Sequence, residues 1–295
     1  MKKIISIAAV AALCFSSCAD EPAVSSITIK ADDSPIEDYA TITFNCRGDF
    51  DLSTESFTRA LTADGKAMTD LWVLDYHNGA TQTSAVIHQT SDDDDFGSPT
   101  LNLAVGSHHV YFIASRGKTP TIDTDAHTLT FGSVSDTFYK DYTIDVTGTS
   151  NGSRSVTLER CVTKFTTVIT DAIPEGAATF NITPAQWYYG WDYVAGTPTT
   201  ATASQTITIN IPSSEIGVTN ERLSIFGFSA ATEWMTDIAI DCKKGDETIL
   251  GTATITDVPL KQNRITTFSG PLFSANGLTT VSLSTDWDTE QTGTW

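Results

Sequence analysis

The sequence has 295 residues, 40% of them hydrophobic, with 36 acidic side chains against 17 basic ones and a formal net charge of −19. A charge of this sign and size repels phosphate backbones and anionic headgroups, which excludes nucleic acid as a partner and a polybasic patch as a membrane contact. The length allows one large core or two ordinary ones, since domains usually run to about 100–150 residues.

Met1-Lys2-Lys3 is followed by an apolar run from Ile4 to Phe15, then Ser16-Ser17 and Cys18. The run is shorter than the roughly 20 residues that cross a hydrocarbon core and has the form of a secretory signal. Small residues before a cysteine resemble a bacterial lipobox, with Phe15 standing where Leu or Val is usual. This predicts removal of residues 1–17 and acylation of Cys18 by chains such as palmitate. Each buried CH₂ of an acyl chain contributes roughly 0.8 kcal/mol, so several together hold a protein to the outer membrane. Asp20-Glu21 resembles the acidic export tag of Bacteroidetes surface lipoproteins, which places the body outside the cell. Residues 18–38 are polar and acidic, with Pro22 and Pro35, and are predicted to be a lipidated tether.

Threonine makes up about one residue in six and is mixed with Val, Ile, Phe and Tyr, the residues that suit pleated strands. From Tyr39 to Cys46 the alternation of Ala40, Ile42, Phe44 and Cys46 with polar neighbours predicts a first strand with one wet side. Further strands are predicted at 70–77, 84–89, 100–105, 108–115, 127–131, 137–146 and 155–170, with Asn78-Gly79 as a hairpin signal. The last run is too long for one strand and is expected to leave one sheet near Arg160 and enter another. Beyond it lie 178–182, 205–211, 222–229, 237–243, 248–255, 264–268 and 280–285, with turns at 244–246 and 276–277. The fold expected is all-β: two tandem β-sandwiches, 39–160 and 161–295, each packing its alternating apolar faces together.

Residues that could carry chemistry are sparse. The five histidines stand in no HExxH or Cys/His spacing, and the neighbours His108 and His109 would point to opposite faces of a strand. No P-loop occurs, and Gly227-Phe-Ser-Ala-Ala231 lacks the second glycine of a nucleophile elbow. Asp92–Asp95 is the one dense carboxylate run, but it does not follow a calcium-loop spacing and reads as a solvated acidic loop. Arg47-Gly48-Asp49 matches an integrin-recognised tripeptide at the end of a predicted strand, a match short enough to arise by chance. Cys46, Cys161 and Cys242 fall in strand-like stretches and read as small buried side chains, one disulfide being the other possibility. Trp187-Tyr188-Tyr189-Gly190-Trp191-Asp192-Tyr193 could offer Trp187, Tyr189 and Trp191 to the apolar faces of sugar rings. The same rings could instead fill a seam between the domains or cap an open end of a sandwich. The expectation is a protein without catalytic activity, metal or cofactor.

Several segments together resemble the Bacteroidales fimbrillin-like lipoproteins. They are Thr58-Arg59-Ala60, Met68 to Tyr76, His108 to Ala114, Leu158-Glu-Arg160 with Thr163-Lys164, and Pro259 to Thr266 with Gly270 and Leu272-Phe273. The likeness runs from about Tyr39 to Trp287. It implies two transthyretin-like β-sandwiches and a place in adhesive surface fibres. Members join by supplying a missing strand from one subunit to the next, so that an extended segment satisfies a bare sheet edge and fills an apolar groove. In stalk members a protease cuts after an arginine near the start of the first domain; Arg47 and Arg59 match by position. Anchor members keep both lipid and first strand. The tail from Thr285 to Trp295 is polar, a poor donor strand, and points to an anchor or accessory position.

The resemblance thus implies a lipid-anchored fimbrial subunit whose partners are other fimbrial subunits, the outer membrane through Cys18, and host or bacterial surface ligands. The alternative is a surface glycan-binding lipoprotein acting through Trp187, Tyr189 and Trp191.

Overall fold

Alternating side chains set the strands, and the computed structural model describes them over residues 38–48, 55–56, 68–199, 202–203, 205–274 and 280–284. The first half contains β1 (Tyr39–Gly48), β2 (Glu55–Ser56), β3 (Asp70–His77), β4 (Ala85–Thr90), β5 (Thr100–Ala104), β6 (Gly106–Ser115), β7 (Thr121–Asp123), β8 (Thr128–Thr130), β9 (Thr137–Val146) and β10 (Gly152–Arg160). The second contains β11 (Val162–Ile169), β12 (Ala177–Pro184), β13 (Gln186–Trp187), β14 (Gly190–Asp192), β15 (Thr197–Pro198), β16 (Thr202–Ala203), β17 (Ile207–Asn210), β18 (Glu221–Phe228), β19 (Trp234–Lys244), β20 (Ile249–Leu260), β21 (Ile265–Gly270) and β22 (Thr280–Ser284). A 3₁₀ turn at Ser213–Glu215 is the helical element among the described residues. The protein is all-β.

In the first half, eight strands run β2-β1-β10-β9-β6-β3-β4, with β5 also on β1. β10 carries the turn from one layer to the other: Gly152–Leu158 pairs in parallel with β1, and Glu159 and Arg160 pair with β9. The layers close over Ile42, Phe44 and Cys46 of β1, Leu101 and Leu103 of β5, Val73 of β3, Phe112 of β6 and Phe138 of β9. β1 is paired on both sides. β10 holds one; on the other lie β5 and, further along, the carbonyls of Pro99 and Gly97, which accept from the Phe44 and Cys46 N–H groups at 2.9 and 2.8 Å.

In the second half, the sheets β18-β11-β21-β22 and β17-β12-β19-β20 bury Phe165, Ile225 and Phe268 against Phe180, Ile182, Ile238 and Ile240. The run from Ser155 to Thr170 breaks at Cys161, where β10 ends and β11 begins in another sheet.

β3 and β6 are covered on both faces, which is why Leu71 to Leu74 reads as an unbroken apolar run. Leu71, Val73, Val110 and Phe112 face the first core, while Leu74, Tyr76, Tyr111 and Ile113 join the cluster that fills the second half. The small sheet β15-β14-β8-β7 takes two strands from each side of residue 161. Asn78 and Gly79 both have positive φ, 51° and 70°, the geometry a tight hairpin requires and the reason Asn-Gly stands there.

Candidate functional site

A cleft of about 250 Å³ opens where the halves meet, lined by Tyr139, Lys140, Asp141, Glu159, Trp191, Gly196 and Gln262. β9 supplies three consecutive residues, and its pairing with β10 sets Glu159 opposite Tyr139. Trp191 comes from β14, Gly196 from the following turn, where φ is +64°, and Gln262 from the turn before β21. The cleft therefore forms only when residues on both sides of position 161 are folded.

Its polar groups are mixed in sign. Lys140 Nζ donates to Glu159 Oε1 at 3.1 Å, and Asp141 Oδ1 lies 3.1 Å from His109 Nδ1. The Tyr139 hydroxyl donates to the Tyr193 carbonyl at 2.6 Å. Burial, helped by the charge of Asp141, pushes its phenol well up from the ordinary range, so it stays a neutral donor. Gln262 Nε2 donates to the Arg160 carbonyl at 2.8 Å, which turns the amide oxygen the other way. Trp191 meets Tyr139 edge-on at 5.6 Å, and its Nε1 finds no acceptor among the described residues.

Arg160 fixes the base of this junction. Its Nε and Nη2 grip the two oxygens of Asp136 at 2.7 and 3.1 Å, its Nη1 donates to Asn263 Oδ1, and its guanidinium lies 4.6 Å from the Phe138 ring centre. Arg116 Nη1 reaches the same Asp136 at 2.9 Å. A bidentate arginine on a buried carboxylate fixes an angle as well as a distance. The segments Leu158-Glu-Arg160 and Pro259 to Thr266, separate in sequence, meet at this clamp.

Of the sequence-predicted contacts Trp187, Tyr189 and Trp191, Trp191 lines the cleft and the other two do not. Trp187 and Trp191 are 0% and 2% exposed, Tyr189 is 9% exposed, and Tyr193 is fully buried. Trp187 Nε1 donates to the Phe226 carbonyl at 2.9 Å, and its ring packs so closely on Gly227 that a Cβ there would meet it at 2.6 Å. The cluster fills the seam instead of presenting stacking faces to a sugar, because seven consecutive residues with five large rings are the best available core filling between the halves. Gly227, whose segment falls one glycine short of a nucleophile elbow, is thereby explained as the seat of Trp187.

Arg47 stands inside β1, opposite Thr157 of β10 and Ser56 of β2. A protease takes an extended, unpaired segment, so the Arg47–Gly48 bond is shielded while β1 stays in place. Cys18, Arg59 and Asp49 lie outside the described residues. The acidic loop is tied to its own turn: Asp93 Oδ2 accepts from the Thr90 N–H at 2.6 Å, and the Gln89 side chain bridges to Asp95 and Gly97. Among the described residues no three His, Cys, Asp or Glu side chains converge as metal ligands. Cys46, Cys161 and Cys242 are free and buried. His109 is solvated, whereas His108 is 1% exposed and wedged between the Asp75 carboxylate, 2.7 Å from Nδ1, and the Ala104 carbonyl, 2.8 Å from Nε2.

Lys140, Asp141, Glu159 and Gln262 carry no sequence signal, since ordinary surface residues of two strands and a turn become a site only through the junction. The profile of a family described as a family of unknown function (DUF6562) matches residues 121–294, more than half of the chain. The chain belongs to this family. The match starts at β7, so it takes in every cleft residue. No curated protein matches the sequence.

Solved structures share the fold. A polysaccharide-binding candidate (DUF1812) from Bacteroides thetaiotaomicron superposes with a TM-score of 0.54 at 7% identity, covering 84% of this chain and 96% of that one. A candidate adhesin from Bacteroides ovatus gives 0.51 at 9% identity, with 86% and 96% covered. A second candidate adhesin from Bacteroides thetaiotaomicron gives 0.50 at 9% identity, with 86% and 98% covered. At such identities the likeness is one of fold alone.

Proposed function

We propose that this family member is a lipid-anchored cell-surface adhesion protein of Bacteroidales type, a fimbrial subunit in an anchor or accessory position. In this reading acylated Cys18 holds it to the outer membrane, and β-strand complementation joins it to other fimbrial subunits. The fold it shares with the two candidate adhesins supports a surface adhesion role.

The observation that carries the assembly reading is the position of β1. It is the first described strand, yet it lies inside its sheet, with β10 along Ile42–Gly48 and β5 along Tyr39–Thr43. Removing it would strip the partners from both neighbouring strands and open a slot lined by Leu101, Leu103, Val156 and Leu158. Such a slot is what a strand from another subunit fills. Here the chain's own strand occupies it, and Arg47 lies within the ladder, which favours a subunit that keeps its first strand over one trimmed there. An arginine-specific protease tests this: native protein is expected to resist cleavage after Arg47, and rapid native cleavage there contradicts the retained-strand reading. Palmitate labelling tests the anchor, with label expected on the wild type and absent from Cys18→Ala.

A further inference from the structure

The cleft at the junction has a composition that selects a ligand class, and we propose that it is a carbohydrate subsite holding one neutral pyranose unit of a surface glycan. This rests on the reading of the protein as a surface adhesion protein and supplies the ligand that such a protein would grip. An anion entering the cleft would meet the carboxylates of Asp141 and Glu159. A cation would meet Lys140, with both carboxylates already partnered by Lys140 and His109. An apolar ligand would strip water from three charged groups without replacing its hydrogen bonds. A neutral polyol escapes all three penalties, because each hydroxyl both donates and accepts. It can donate to Asp141, Glu159 and the Gln262 carbonyl oxygen while accepting from Lys140.

Trp191 lines the cleft and is 2% exposed, so its ring forms a fixed apolar part of the wall. The volume, about 250 Å³, lies below the roughly 300–1,000 Å³ of pockets for drug-sized ligands, which suits a single ring with the rest of the glycan outside. The walls are fixed beforehand: Tyr139 is held by the Tyr193 carbonyl and Gln262 by the Arg160 carbonyl, so little ordering accompanies binding.

Saturation-transfer NMR on the full-length protein in detergent tests the proposal, with glucose, galactose, mannose and N-acetylglucosamine as neutral probes and glucuronate and glucosamine as charged ones. At least one neutral sugar is expected to receive saturation at millimolar concentration. The exchange Asp141→Asn with Glu159→Gln, both on solvent-reached side chains, is expected to weaken it about tenfold with an unchanged melting temperature. Absence of transfer to all four neutral sugars at tens of millimolar, equal transfer in the double variant, or preference for either charged sugar overturns the proposal. Recovery of the same double variant in sheared surface fibres is read separately. Wild-type levels there with no sugar binding in the wild type defeat the cleft alone, whereas absence of the wild type from fibres defeats the fimbrial reading.

Discussion

Asp75 and His108 show how one buried pair can hold a proton in place. The Ala104 carbonyl can only accept, so His108 Nε2 carries hydrogen, and the proton on the other side lies between Nδ1 and the Asp75 carboxylate. His77 stacks on the His108 ring at 4.5 Å and is the other titratable group facing Asp75. Burial raises the Asp75 pKa above its ordinary 3.8, against the lowering effect of His108. Folded protein therefore binds more proton than unfolded protein just above pH 3.8, and this group's contribution to stability falls as pH rises through the raised value. Urea titrations across that window are expected to show the decline in the wild type and its loss in Asp75→Asn. A second residue-scale test is steric. Gly227→Ala drives a methyl into the Trp187 indole and is expected to destabilise by about 1–3 kcal/mol, as overpacking does. Gly132→Ala, with open space around it, is expected to leave the melting temperature almost unchanged.

Among the elements, β1 is the most legible in the sequence and the aromatic strands the least. The alternation of Ala40, Ile42, Phe44 and Cys46 names its buried face correctly because a period of two leaves only two choices. The predicted runs 70–77 and 137–146 match β3 and β9 to the residue, and the excess length of 155–170 separates β10 from β11. It cannot give the pairing partners of β1, since parallel pairing with β10 depends on residues more than a hundred positions away. β13 to β16 are not predicted, because strands of two or three residues are too short to show a period. Their rings are legible as core filling only as one of two alternatives, which the seam between the halves decides. Cys46 makes β1 testable as an element. Burial pushes its thiol far above the ordinary range, so native protein is expected to react slowly with maleimide. Release of β1 from the sheet is expected to make Cys46 react first, read by peptide mass, while Cys161 stays protected in the junction.

At the scale of the whole molecule, the halves are joined by more than a covalent link. Among the described residues the two halves pack as one unit, with one buried cluster drawing on both sides of position 161 and a four-stranded sheet shared between them. Arg160 is the polar centre of that joint. Arg160→Ala leaves the Asp136 carboxylate buried with one of its guanidinium partners missing, and is expected to cost about 3–5 kcal/mol in urea unfolding. Arg160→Lys, which keeps the charge but not the fork, is expected to recover only part of it. The cleft is invisible in the sequence for the same reason that the joint is: its lining comes from residues 139–141, 159, 191, 196 and 262, which no local pattern connects.

The most direct measurement on the proposed role is mass spectrometry of the protein recovered from surface fibres sheared from whole cells. A retained first strand in an anchor or accessory subunit gives an acylated Cys18 peptide continuous with Tyr39–Gly48. A chain in the fibres that begins after Arg59, or a chain missing from the fibres altogether, contradicts it.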